Sequence, residues 1–261
     1  MNKKEINQQY LKSTVKILRN FKDLNFNTND IEKNSQYCVN RVEKLLKTHE
    51  YKKWILKNIE LTELKRLYYR GIIDEALFNN PKLAVLYVLD DINILVNSSE
   101  HIVFISTKYG KTLKSAYKSA KYWENEFAGE YEFASYKSNK FINSNYSNSG
   151  LGIIAFLFLH LPILSIKNHL EDRDEVSKNG FKIQQLKINK EISISSIYNV
   201  ENITSDFKTF ENLSKEIYKV SDFIIMAETI LRNKIQVQED ILINDKISKA
   251  IGIIKAAKYL D

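Results

Sequence analysis

Helical spacing of apolar residues dominates the first third of the chain. From Asp30 to Leu46 apolar side chains recur at roughly helical intervals, at Ile31, Cys38, Val42, Leu45 and Leu46. A second amphipathic segment runs from Glu60 to Tyr69. Because this spacing places apolar residues on one side of a helix, residues 1–82 are predicted to be mainly helical.

Short apolar runs separated by polar turn residues follow. The runs at residues 83–90, 92–97 and 101–107 are rich in Val, Ile and Leu, which is typical of strands. Connections this short favour antiparallel pairing. Other candidate strands lie at residues 131–136, 152–159, 181–188 and 192–200. The predicted central sheet therefore comprises the segments near 83–107, 131–142, 152–159 and 181–200.

Helical spacing returns from Lys111 to Phe127, and this helix is predicted to cover one face of the sheet. Two long helical patterns close the chain, at residues 207–238 and 245–260. Strands grouped together with helices packed on them indicate an α+β fold with a mostly antiparallel sheet. The expected organisation is a single domain over residues 1–261, with the sheet and its helices in residues 83–261.

The most apolar stretch of the chain is residues 150–166. His160 and Pro162 interrupt it, and it falls short of the ~20 residues that a membrane span needs. It is predicted to be a buried strand running into a turn, and no membrane partner is expected. The stretch 138–150 has a loop-like composition, and the charged run 171–176 is predicted to be a solvated loop.

The formal net charge of +7 would suit an anionic partner, but basic residues are interspersed with acidic ones. A solvated lysine surface is favoured over nucleic-acid binding. The single Cys38 excludes an internal disulfide, and at helical spacing it is predicted to be a core residue. These features favour a reducing cytoplasm. His49 and His169 lack metal-ligand spacing, so no metal site is predicted.

Four segments, taken in order, carry a family resemblance. KSTVKILRNF (12–21) resembles S-S-R-I-R-L-A-R-N, and the segment 68–106, with NSSEH at 97–101, resembles a stretch ending in N-E-E-D-H. NSNYSNSGLGIIAFLFLHLP (143–162) is similar to C-P-T-N-x-G-T-G-L-R-A-x-V-x-L-H-L-P, and residues 245–261 resemble a terminal D-R-x-x-R-x-Y-G helix. The chain thus resembles the ATP:guanido phosphotransferases, most closely the bacterial protein-arginine kinase type. This resemblance implies the guanidino kinase catalytic domain, which has a glutamine synthetase-like fold.

The bacterial type continues into a further helical domain, used for dimerisation and phosphoarginine recognition. This chain stops where that domain would begin, so the domain is expected to be absent.

The resemblance also assigns positions to the nucleotide site, which the family surrounds with arginines. These positions fall on Thr14, Lys16, Val103, Ile154 and Gln184. Only Lys16 keeps a positive charge and is a plausible phosphate ligand. Because phosphoryl transfer depends on cations that neutralise the phosphate oxygens, losing four of them is expected to abolish turnover. Arg19 is expected to be structural, and Gly150 and Gly152 are expected to serve a tight backbone path.

The acceptor positions are altered as well. The two glutamates of N-E-E-D-H fall on Ser98 and Ser99, and a hydroxyl cannot act as the base that a guanidinium needs. Glu100 matches the family aspartate and is expected to point away from Ser99 along a strand. The family's substrate-contacting cysteine falls on Asn145, whereas His101 is retained.

Three functions remain open. The first is a pseudokinase that acts by binding a protein partner of unknown identity, with no cofactor and with a homo-oligomer possible. The second is an active or repurposed phosphotransferase that uses MgATP, Lys16 and other lysines, and a phosphate-binding cluster of lysines in the cleft would favour it. The third is a basic surface that binds nucleic acid or membrane, which a salt-dependent electrophoretic shift would discriminate.

Overall fold

The computed structural model describes residues 8–25, 31–81, 83–137, 140–167, 173–178, 180–186, 196–238 and 241–256. Within these ranges the strands are β1 (Tyr10–Arg19), β2 (Lys52–Ile55), β3 (Val85–Val88), β4 (Asn93–Val96), β5 (Ile102–Tyr109), β6 (Ser135–Lys137), β7 (Lys140–Phe141), β8 (Ile153–His160), β9 (Phe181–Gln185) and β10 (Ile197–Asn202). The helices are α1 (Ile31–Leu46), α2 (Leu61–Tyr69), α3 (Glu75–Asn79), α4 (Leu113–Ala128), α5 (Pro162–Lys167), α6 (Arg173–Lys178), α7 (Phe210–Gln238) and α8 (Ile241–Ala256).

One antiparallel sheet organises the described part of the chain. Its strand order is β2-β3-β4-β5-β1-β8-β10-β9, and every neighbouring pair is antiparallel. The antiparallel α+β prediction is therefore confirmed. The strand β1 lies in the middle of the sheet, between β5 and β8.

This central strand lies in the part of the sequence predicted to be mainly helical, and the prediction missed it. Three consecutive residues of β1, Ser13, Thr14 and Val15, are completely buried. Both faces of a central strand are partly covered, so the strict apolar and polar alternation of a half-exposed strand is absent. The predicted helices of this part, however, are present as α1 and α2.

Two apolar layers enclose the sheet. On one face, α1, α4 and α7 pack against strand residues such as Val15 and Ile17. On the other face, α2 and α3 pack against Leu18, Val103 and Ile105. Since successive residues of a strand point to opposite sides, β1 contributes to both layers and ties them together.

Two predictions about strands and loops are wrong. Residues 131–142 do not join the central sheet, because β6 and β7 form a separate two-stranded sheet. Both edges of β1 are already paired with β5 and β8, which leaves no central position for this segment. The charged run 171–176 is not simply a loop, since α6 begins at Arg173.

The other strand and helix predictions agree with the described residues. The apolar stretch 150–166 forms the buried β8, although a short helix, α5, follows it instead of a turn. The helices α4, α7 and α8 match the three predicted ones, and no helix in the described part of the chain is long and apolar enough to cross a membrane. Parts of the predictions for 181–188, 192–200 and 245–260 lie outside the described residues, as does His169.

Candidate functional site

The positions that the sequence assigns to nucleotide binding share one side of the sheet. Lys16 of β1 lies directly opposite Ile154 of β8, and Thr14 lies two residues from Lys16. Val103 of β5 lies opposite Leu18, and Gln184 of β9 lies opposite Asn199 of β10. Cross-strand partners and every second residue of a strand point to the same side. The fold therefore gathers all five positions on one surface, as a common site requires.

Four of these five side chains carry no charge. Thr14 is buried, and its hydroxyl bonds that of Thr107 with an oxygen separation of 2.9 Å. Val103 is buried and Ile154 partly buried in the apolar layer under α2 and α3. Gln184 is exposed. None of the four offers a cationic donor to a phosphate.

Lys16 is the charged member of the five, and its ammonium already has a partner. Its Nζ donates to the carbonyl of Ile72 at 3.1 Å and lies 5.1 Å from the ring centroid of Phe156. Burial lowers the pKa of Lys16 to about 8, although the carboxylates of Asp74 and Glu201 oppose the shift. A phosphate would have to replace the carbonyl contact.

Two further lysines lie on the same surface, and the sequence reasoning missed both. Lys12 precedes Thr14 by two residues on β1, and Lys182 precedes Gln184 by two on β9. The period-2 rule would have found Lys12 if β1 had been recognised as a strand. We call the surface that carries Lys12, Lys16, Lys182 and the five assigned positions the lysine face.

Both additional ammonium groups are engaged. The Nζ of Lys12 donates to the carbonyl of Arg70 at 3.1 Å, and Lys182 forms an ion pair with Glu201. Burial lowers the pKa of Lys12 to about 8, and the guanidinium of Arg70 adds to the shift. The lysine face is therefore cationic, but its three ammonium groups have partners from the chain itself.

The acceptor positions also lie close together. Ser98 and Ser99 occupy the connection between β4 and β5, and the hydroxyl of Ser144 donates to the Ser99 carbonyl at 2.8 Å. Asn145 follows Ser144 directly and caps a short 3₁₀ helix, where its Oδ1 accepts from Ser147 N at 3.0 Å. The side chain of Asn145 is thus used to shape the loop.

A cavity of about 260 Å³ opens beside the two serines. Among the described residues of its wall, Asp74 supplies the one carboxylate, and its Oδ1 accepts from Leu77 N at 2.8 Å as the N-cap of α3. The sequence reasoning did not single out Asp74, because its position depends on how α3 packs on the sheet. A serine hydroxyl and a capping carboxylate provide hydrogen-bond acceptors here, but Ser98 and Ser99 provide no base.

Glu100 differs from the prediction in its setting. It lies in the connection between β4 and β5, not in a strand, yet it is completely buried while Ser99 is exposed. Its carboxylate accepts from Asn20 Nδ2 at 2.5 Å and from Ser144 N at 2.9 Å. Burial raises the pKa of Glu100, and these donors oppose the shift. Glu100 therefore fixes the 144–149 loop to β1.

His101 also makes structural contacts. Its Nδ1 accepts from Phe21 N at 3.1 Å, and its Nε2 lies 3.0 Å from the carbonyl of Asn25. Burial lowers the pKa of His101, and a neutral ring with its proton on Nε2 satisfies both contacts. The ring also stacks on Phe21. The histidine thus joins the end of β1 to the start of β5.

Arg19 forms a buried anchor, in agreement with its predicted structural role. Its Nε donates to Glu124 of α4 at 2.7 Å, and both side chains are only 2% exposed. Its Nη1 donates to the carbonyls of Leu18 and Leu151 at 2.6 and 3.1 Å. The guanidinium also lies 3.4 Å from the ring centroid of Phe141. Arg19 is thus unavailable to a nucleotide.

Gly150 and Gly152 are the two glycines predicted to serve a tight backbone path. Gly150 has φ +108°, and a Cβ there would lie 2.7 Å from the carbonyl oxygen of Ser205. Gly152 has φ +63°, and a Cβ there would lie 2.5 Å from Arg19 Nη1. Both positions therefore require glycine for conformation and for space.

Cys38 is a buried core residue, as predicted. Its side chain has no solvent exposure, and burial raises the pKa of its thiol to about 12. A thiol of this kind is a poor nucleophile. Among the described residues, no group of three or more His, Cys, Asp and Glu side chains is arranged to hold a metal ion.

Comparison with known proteins identifies the family of the domain that carries this site. The family model of the ATP:guanido phosphotransferase C-terminal catalytic domain matches residues 30–231. Protein-arginine kinase of Bacillus cereus (strain B4264) is 26% identical over 267 residues, which cover 96% of this chain and 73% of that protein. Protein-arginine kinase of Clostridium tetani is 24% identical over 260 residues, with 96% and 75% covered.

Solved structures share the fold. The duplicated taurocyamine kinase of Schistosoma mansoni, with bound transition state analog components, superposes with a TM-score of 0.72 at 17% identity. That match covers 90% of this chain and 35% of the longer kinase. Lombricine kinase superposes with a TM-score of 0.71 at 13% identity, with 87% and 68% covered.

Proposed function

Because the chain belongs to the ATP:guanido phosphotransferase family, we propose that it is a member without phosphotransferase activity, which acts by binding another protein. One observation carries the proposal. The surface where the resemblance places the nucleotide arginines holds Thr14, Val103, Ile154 and Gln184, and the ammonium of Lys16 is bonded to Ile72. Transfer needs preorganised cations around the phosphates, and this surface offers few.

The acceptor positions support the same proposal. A guanidinium is a very weak acid and needs a close carboxylate to become a nucleophile. Ser98 and Ser99 cannot supply one, and the Asp74 carboxylate is committed to the cap of α3. The carboxylate of Glu100 is buried among donors that hold the 144–149 loop. We therefore assign these residues to structure and not to catalysis.

The proposed location is the cytoplasm, and the proposed partner is a protein. The buried, unreactive thiol of Cys38 suits a reducing compartment. Membrane and nucleic acid are not part of the proposal.

The test is transfer of labelled phosphate from MgATP to free arginine and to a denatured protein substrate, with the Bacillus cereus protein-arginine kinase assayed alongside. No transfer above background is expected, since removing one preorganised electrostatic group typically costs ~10² to 10³ in rate and four cations are missing. Transfer that requires an intact lysine face would contradict the proposal.

A repurposed phosphotransferase is the second candidate, and Lys12 and Lys182 are the observation in its favour. They add two ammonium groups to the surface that carries Lys16. Under this alternative the assay would detect transfer, and Lys16→Ala would abolish it. A Gln184→Ala variant serves as the matched control, because this exposed side chain carries no charge.

A further inference from the structure

The helix α2 ends with a turn that lies on the lysine face. Gly71 has φ +73°, and its N–H donates to the carbonyl of Tyr68 at 2.9 Å. The N–H of Ile72 donates to the carbonyl of Leu67, also at 2.9 Å. This pair of bonds is the Schellman arrangement, in which a left-handed glycine ends a helix. We call residues 70–72 the α2 turn.

The carbonyls of the α2 turn are the partners of two lysines. Lys12 Nζ lies 3.1 Å from the carbonyl oxygen of Arg70, and Lys16 Nζ lies 3.1 Å from that of Ile72. The C-terminal end of a helix carries a partial negative charge of about half an electron. The turn therefore presents negative potential to the two ammonium groups, in the manner of a bound anion.

Packing holds the turn close to the sheet. A Cβ on Gly71 would lie 3.3 Å from Cζ of Phe158, and Lys12 Nζ lies 4.0 Å from the centroid of the same ring. Beside the turn a cavity of about 270 Å³ separates the end of α2 from β5. Its wall includes Arg70, Ile105 and Lys108. Ile105 is the cross-strand partner of Lys16, so the cavity lies beside the strand that carries the lysines, and its wall also includes the carboxylates of Asp90 and Asp91.

We propose that the α2 turn competes with external anions for Lys12 and Lys16. Its carbonyls occupy the two ammonium groups and so keep the lysine face from binding an anion. Opening the turn exchanges two carbonyl contacts for contacts with an external oxyanion such as a polyphosphate. The proposal rests on the proposed function in one respect: a chain whose lysine face already binds and turns over MgATP would not be closed by the turn.

The test opens the turn and measures anion binding. Gly71→Ala strains the left-handed conformation and pushes a methyl group toward Phe158. Hydrogen exchange at the amides of residues 71 and 72 should accelerate, because their Schellman bonds weaken. The affinity for inorganic tripolyphosphate, measured by calorimetry at fixed ionic strength, should rise about tenfold as the binding-competent fraction increases. Adding Lys12→Met and Lys16→Met should remove that gain.

Two controls distinguish opening of the α2 turn from strain elsewhere in the chain and from poor folding of Gly71→Ala. Gly180→Ala places a methyl group at φ +79° with nothing within 4 Å, so it imposes similar strain away from α2 and should leave the affinity unchanged. Lys12→Met with Lys16→Met in the otherwise unaltered chain should accelerate exchange at residues 71 and 72, because the turn loses its anchors. This second variant tests the contact even if Gly71→Ala folds poorly.

The proposal is overturned if the unaltered chain binds tripolyphosphate as tightly as Gly71→Ala does. It is also overturned if exchange accelerates in Gly71→Ala without a gain in affinity, or if the double lysine variant leaves exchange unchanged. Turnover of MgATP by the unaltered chain would instead contradict the proposed function. The two failures are therefore distinguishable.

Discussion

The buried anchor around Arg19 and the lysine face are built from the same central strand, yet they differ in how β1 is used. In the anchor, Arg19 meets Glu124, three backbone carbonyls and an aromatic ring. On the lysine face, Lys12 and Lys16 each meet one backbone carbonyl of the α2 turn and one aromatic ring. Replacing Arg19 would remove several hydrogen bonds at once, whereas replacing one of these two lysines would remove one hydrogen bond. The difference indicates that β1 is tied into the fold more strongly at Arg19 than at the two lysines.

Removing Arg19 should have the largest effect of the changes considered. In Arg19→Met, Glu124 keeps a bond from Lys121 but loses its buried partner. Breaking a buried ion pair by removing one member typically costs about 3 to 5 kcal/mol. Urea denaturation followed by circular dichroism should record a loss of this size in the free energy of unfolding.

The exposed pair of Lys22 and Glu132 provides the matched control. Their side chains are 66% and 78% exposed, and solvent screens exposed pairs so that they contribute little to stability. Lys22→Met should therefore leave the denaturation midpoint nearly unchanged. If Arg19→Met cost no more than Lys22→Met, the anchor would not differ from a surface contact and the comparison would fail.

A smaller but still clear loss is expected from Gly152→Ala. The added methyl group would meet Arg19 Nη1 at 2.5 Å and the carbonyl of Leu18 at 2.9 Å, in a left-handed conformation. Conformational strain alone costs roughly 1 to 2 kcal/mol, and displacement of Arg19 adds to it. Gly110→Ala isolates the strain, because φ is +73° there and nothing lies within 4 Å of its Cβ. Equal midpoints for the two variants would refute close packing at the anchor.

The buried lysines of the lysine face should affect how the free energy of unfolding depends on pH. The pKa values of Lys12 and Lys16 fall from 10.5 to about 8 in the folded chain. Between pH 8 and 10.5 the unfolded chain holds protons that the folded chain has released, so stability should rise with pH. The slope is at most about 1.4 kcal/mol per pH unit for each lysine, and less where solvent screens the charge.

Replacing a lysine sharpens this measurement. Lys16→Met should flatten the rise between pH 8 and 10.5, whereas Arg19→Met should leave that part of the profile alone. Above pH 10 stability should fall again, because burial raises the pKa values of Tyr10 and Tyr87 and the unfolded tyrosines ionise first. A Lys16→Met profile that matches the unaltered chain would show that the lysine is not desolvated.

Much of this arrangement was accessible from the sequence, and the exceptions have physical causes. Apolar spacing located α1, α4 and the strands β3 to β5, since each buries one regular stripe or run. The family motifs assigned Thr14, Val103 and Ile154 to one nucleotide site. The strand β1 was not predicted because polar and apolar residues are buried on both of its sides, so its sequence lacks the alternation of a half-exposed strand.

The charge pairing of the site could not be read from sequence. Lys12, Lys182 and Asp74 belong to the site only because of strand register and of the way α2 and α3 pack on the sheet. The contact between Lys16 and Ile72 joins positions 56 residues apart, and no local pattern marks such a contact. Motifs therefore identify the positions of a site, whereas the fold determines whether its charges are available.

The contact between Gly152 and Arg19 also constrains how such a chain can diverge. A side chain at 152 cannot coexist with Arg19 in its present position, and losing Arg19 leaves Glu124 without its buried partner. A tolerated change at any one of the three positions therefore depends on changes at the other two, and each single intermediate is less stable than the starting sequence. This is epistasis imposed by packing, and stepwise mutation is expected to leave the three residues as a fixed unit.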